Sequence, residues 1–202
     1  MTPRPLTIRA HEAQAIQSGR LSLIVRPMKP QPDEDGLNAN GWPITLEQCP
    51  LGKPGDDLWC RETLKTGYLP NILTGEPTNA SIALYDVDDD WVCNEHGFNI
   101  CPWWTGNRLP SCRMPRWASR FTLRVIEIDC KRVQEISEAE AICGGVEYIS
   151  REAGFDGWRV AAHQYAPTAR AAFSVIWDSD HGPGAWERNE WVWLVRVERV
   201  AG

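Results

Sequence analysis

A chain of 202 residues with a 43 % hydrophobic share suits one domain carrying an inserted segment better than two domains. No apolar run reaches the length of a bilayer span, and the first residues lack the apolar core of a signal peptide, so the expected setting is the cytoplasm, with no membrane partner. The net charge of −6 argues against a general nucleic-acid coat, yet it is unevenly placed: residues 1–32 carry +4, 33–100 carry −10, 101–132 carry +5 and 133–202 carry −5.

In chain order, residues 6–9 read as a first strand. Residues 11–18, with Ala13, Ile16 and Gln17 at helical spacing, read as a short helix stopped by Gly19. Residues 21–26 form a second strand ended by Pro27. The proline-rich stretch 29–50 predicts a long irregular loop. Cys49-Pro50-Leu51-Gly52-Lys53-Pro54-Gly55-Asp56-Asp57-Leu58-Trp59-Cys60-Arg61-Glu62 then predicts a tight turn feeding a strand over 58–68. Gly55 can take a positive φ, which leaves the Asp56 carboxylate to accept backbone amides in the turn. Along the strand, Leu58, Cys60 and Glu62 share one face, and Trp59, Arg61 and Thr63 the other. A central position for this strand buries one of those charges or sets it in a cavity.

Residues 69–111 read as inserted material, with a hairpin of 81–87 and 91–93 around Asp88-Asp89-Asp90. That acidic run matches a calcium loop only in charge and reads as a solvated tip. Residues 120–132 form a long strand. Ser137 caps a helix over 138–143 with Glu140 completing a capping box, and Thr168 caps a helix over 169–177. Residues 191–200 alternate apolar and polar and close the sheet. The 11 tryptophans are expected mostly in the core or in cavity walls, and the seven cysteines as free thiols.

Four ordered segments carry a family resemblance. They are Gly19-Arg20 with Arg26-Pro27-Met28-Lys29-Pro30-Gln31-Pro32, the Pro54–Glu62 stretch, Met114-Pro115-Arg116-Trp117-Ala118-Ser119-Arg120, and Trp177-Asp178-Ser179 with Trp191-Val192-Trp193. Together they resemble phage and prophage ASCH-domain proteins of the PUA-like group. The resemblance implies an α+β fold: a PUA-like mixed β-barrel with short peripheral helices, a single domain over 1–202, and an unmatched insertion at 67–106. It also implies an RNA or modified-nucleotide ligand, or a role against a host protein in the host cytoplasm. In its catalytic branch it implies an amidohydrolase acting on 4-acetylcytidine. The Lys, Thr and Glu of that branch fall on Leu21, Ile24 and Gly144, none of which can act as nucleophile or acid/base. No catalytic residue is therefore expected by that route, and no cofactor. Glu140 and Glu147 lie close in sequence to the missing Glu.

The candidate ligand-binding residues are Arg20, Arg26, Asp56, Trp59, Arg61, Glu62, Arg116, Trp117 and Arg120. Arginine offers a planar fork for phosphate or a base edge, and tryptophan a face on which a base stacks. The alternative for Arg61 is a structural ion pair with Glu62 or Asp56. Cys93, His96, Cys101 and Cys112 make the one zinc-like cluster, but only Cys93 and His96 have the close spacing of zinc ligands, so no metal is expected. His11, His163 and His181 have no motif partners.

Overall fold

The computed structural model describes residues 3–38, 40–71, 73–92, 106–150, 156–161 and 164–200. A five-stranded mixed sheet organises them. It contains β1 (Arg4–Thr7), β2 (Leu23–Pro27), β3 (Asp57–Arg61), β7 (Thr122–Arg132) and β11 (Trp191–Val200), in the order β1-β3-β7-β11-β2. β7 and β11, rich in β-branched and aromatic residues, form the long antiparallel spine, with a bulge between Arg196 and Val197. β11 does not close the sheet as expected; it lies inside it, between β7 and β2.

All five strands send residues into one core: Leu6, Ile24, Leu58, Cys60, Leu123, Val125, Val195 and Val197, together with Ala13 and Ile16 of α1 (Ala10–Gln17). The sheet thus curls around this core. Among the described residues it is not a closed barrel, because the ladder stops at β1 on one side and β2 on the other. Pro5 and Pro27 lie in these two edge strands and cannot donate to a closing ladder. A side chain crosses the seam instead: Arg26 on β2 donates from Nη2 to the Thr7 carbonyl on β1 at 3.0 Å.

On the outer face, Leu23, Val25, Val192 and Leu194 pack against α2 (Glu138–Cys143) and α3 (Ala169–His181). Both helices start as the sequence predicts. Ser137 Oγ accepts from Glu140 N at 3.2 Å while Glu140 accepts from Ser137 N at 2.8 Å, and Thr168 Oγ1 accepts from Ala171 N at 3.1 Å. α3 runs four residues beyond the expected Trp177, to His181.

Two smaller sheets flank this unit. The strand expected over 58–68 is broken: β3 ends at Arg61, and β4 (Leu64–Pro70) pairs in a separate sheet with β5 (Pro77–Tyr85) and β6 (Arg108–Leu109). The expected hairpin survives as a bridge between Leu84 and Trp91, but the main partner of β5 is β4. The third sheet, β8 (Tyr148–Ile149), β9 (Gly157–Ala161) and β10 (Gln164–Ala166), has no counterpart in the sequence reading. Most described tryptophans serve the cores as expected: Trp177 and Trp193 are buried and Trp158, Trp186 and Trp191 pack partly buried against them, while Trp42, Trp91 and Trp117 are exposed.

Candidate arginine-rich cleft

The nine candidate residues do not form one cleft. Asp56 serves the turn before β3. Its Oδ2 accepts from Lys53 N at 3.1 Å, and its own amide donates to the Lys53 carbonyl at 3.0 Å. Gly52 is required here twice over. Its φ is +114°, and a Cβ on it would come within 2.6 Å of Asp56 Oδ2.

A second group gathers where β3 passes into β4. Arg120 forks onto the buried Glu62 at 2.9 and 2.7 Å, bonds Asp88 at 2.7 Å, and lies 3.8 Å over the Tyr85 ring. The acidic tip is therefore not merely solvated: Asp88 holds Arg120, Asp86 holds Arg108 and Asp89 pairs with Lys65. Arg61 pairs with neither Glu62 nor Asp56. It donates to the Cys112 carbonyl at 3.1 Å and to Thr7 Oγ1 at 3.0 Å, with its guanidinium 5.7 Å from the Trp59 ring centre. Arg116 and Trp117 sit exposed on a 3-10 turn.

Arg20 and Arg26 belong to a different place, a cleft of about 90 Å³ between α1, β2, the α2–β8 connection, β9 and α3. Arg26 forms a nearly buried fork on Glu12, at 2.6 and 2.9 Å. Burial alone would raise the Glu12 carboxyl; the Arg26 charge and the Arg9 amide outweigh it and hold the group below its ordinary range. Across the cleft, Arg9 bonds Asp180 at 2.8 Å and His11 Nε2 lies 3.6 Å from the same carboxylate. Burial lifts Asp180 above the usual range although His11 and Arg9 pull it down. Glu147 is shared by Arg159 at 2.9 Å and Arg20 at 3.6 Å. Among the described residues four arginines thus face three carboxylates, leaving one cation in excess.

The apolar wall is Val160, Phe173, Ile176 and Trp177. Trp177 Nε1 is buried with no hydrogen-bond partner among the described residues. Gly145 shapes the floor: φ is +92°, and a Cβ would stand 2.6 Å from Ala15 Cβ, so this position lets the α2–β8 connection approach α1. No family model matches the chain, no curated protein matches it, and no solved structure does.

The cleft also locates the positions read by resemblance. Leu21 and Ile24 are buried in the core within the sheet, whereas β2 presents Leu23 and Val25 to the cleft. Gly144 lines it, and so does Glu147, but the Glu140 carboxylate caps α2 and bonds Lys131 at 2.6 Å. Sequence reasoning missed Arg9, His11, Glu12, Arg159 and Asp180. Only the fold brings α1, β9 and the end of α3 together, and no spacing within the chain signals it. Of the zinc-like cluster, Cys93, His96 and Cys101 lie outside the described residues, as does His163, and Cys112 is exposed. Among the described residues no three His, Cys, Asp or Glu side chains gather as metal ligands.

Proposed function

We propose that the chain is a PUA-like module of the ASCH type that binds RNA or a modified nucleotide, with a backbone phosphate held at the mouth of the arginine-rich cleft, whose roughly 90 Å³ admits a phosphate but not a whole nucleotide. The observation that carries this reading is the Arg20–Glu147–Arg159 group: two partly exposed arginines share one carboxylate at the rim. Such a pair has spare fork geometry for a phosphate, and Val160 and Ile176 add partly buried apolar lining beside it. Arg26 is committed to Glu12 and contributes position rather than contact.

The test is fluorescence anisotropy with a short single-stranded RNA at low salt, followed by salt titration. Arg20→Ala and Arg159→Ala should each weaken binding and reduce the salt slope by about 0.7, the value for one lost single-strand phosphate contact. A wild-type chain that binds neither RNA nor free nucleotides at low salt overturns the reading. A second reading has its own observation. His11 stands in the cleft with Nε2 3.6 Å from the Asp180 carboxylate, a titratable group near the proposed site though not hydrogen-bonded to that carboxylate, so a nucleoside amidohydrolase with a rearranged catalytic group is the alternative. Turnover of 4-acetylcytidine that disappears in His11→Ala would favour it over simple binding.

A further inference from the structure

The loop between β2 and the Asp56 turn lies over a hollow remote from the cleft in its lining residues. It encloses about 350 Å³, a volume in the range of small-molecule sites. Its floor is apolar: Met28 and Trp193 are buried core residues, and Ile44 packs against the same core.

The polar groups at this hollow are biased toward donors. Asn38 Oδ1 already accepts from Asn40 N at 2.9 Å and Trp42 N at 3.1 Å, and among the described residues nothing accepts from the Asn38 Nδ2 hydrogens. Gln48 Oε1 accepts from Thr45 N at 3.4 Å, which leaves Gln48 Nε2. Lys29 lines the same space and forms no ion pair among the described residues. The loop's own turns thus engage the Asn38 and Gln48 oxygens and leave two amide donors beside one ammonium, while the exposed Asn40 side chain lines the same hollow and can turn its NH2 inward.

An aromatic and thioether floor under donors and a single cation complements a flat apolar body that ends in a planar anion. We propose that this hollow binds a small aromatic carboxylate, with its ring against Met28 and Trp193 and its two oxygens on Lys29, Asn38 and Gln48. Among the described residues no arginine fork lines the hollow, and this favours a carboxylate over a phosphate group.

Calorimetric titration with phenylacetate and indole-3-acetate tests the assignment, with phenylacetamide and phenethylamine as neutral and cationic controls of similar shape. The carboxylates should bind with Kd of about 1 mM or tighter and raise the melting temperature, and the controls should bind at least about tenfold more weakly. Lys29→Met removes the cation, and Gln48→Glu replaces the amide donor by a like charge; each should weaken carboxylate binding about tenfold or more. Thermal melts of the unliganded variants verify that both still fold. Absence of carboxylate binding, equal binding of the controls, or unchanged affinity in Lys29→Met would each overturn the proposal.

Discussion

Two adjacent aspartates illustrate how position decides what a residue contributes. Asp56 is buried and accepts the Lys53 amide, while Asp57 pairs with Arg124 at 3.0 Å where both side chains are partly open to water. A charge-assisted bond inside a closed turn is worth about 1.5–3 kcal/mol, and an exposed ion pair about 0–1 kcal/mol. Asp56→Ala should therefore lower stability by about 1.5–3 kcal/mol in denaturant melts, and Asp57→Ala by less than about 1 kcal/mol. Equal losses would place the turn's strength elsewhere. This residue was legible in the sequence because the Gly-x-x-Gly-Asp order states a local turn, which the fold then supports with Arg4 at 3.9 Å from the carboxylate and backbone bonds to Val125. Arg61 was not: its partners, Thr7 and the Cys112 carbonyl, lie 54 and 51 residues away along the chain.

Elements with strong local signals emerged close to where periodicity and caps put them: α1, α2, β7 and β11. The break between β3 and β4 did not, because apolar alternation continues through Glu62 and nothing in the pattern says that the two halves join different sheets. The cause is tertiary. Glu62 turns inward to the Arg120 fork, and its amide meets Met114 Sδ at 3.0 Å, which takes the chain out of the first ladder. The β8-β9-β10 sheet was equally illegible, being made of strands of two, five and three residues. Removing one partner of a buried pair leaves the other charge stranded and costs about 3–5 kcal/mol. Arg120→Ala should lose about that much. Arg120→Lys should recover only part of it, since an ammonium cannot fork onto Glu62 while also holding Asp88. Full recovery with lysine, measured by chemical denaturation, would mean that charge alone holds the junction.

At the scale of the whole molecule, the curled sheet and its outer helices set charges at the seam where α1 meets the end of α3, and this should make stability depend on pH. His181 lies in the last turn of α3, where the helix dipole favours a cation. Burial nevertheless pushes its imidazole down, from 6.5 to about 4, helped by the charges of Arg9 and Arg26 and opposed by Glu190. The ring lies tilted against Trp177, its centroid 4.0 Å away, and Nε2 is buried without a hydrogen-bond partner among the described residues. Between pH 6.5 and about 4 the unfolded chain binds the proton and the folded chain refuses it, so stability rises with pH across that window and is lost on acidification through it. Two neighbours act lower in the scale with opposite signs. The lowered Glu12 adds to acid loss below its ordinary value of 4.5, while the raised Asp180 gains a proton more readily when folded and offsets part of that loss. The His181 contribution is isolated by comparing wild type with His181→Gln, which keeps a polar side chain and cannot titrate. Melting temperatures of the two should run in parallel above pH 6.5 and diverge below it, the wild type falling faster toward about pH 4. Parallel curves through the whole window would show that His181 is free to take a proton in the fold. The loss of stability in acid would then belong to the carboxylates at the seam.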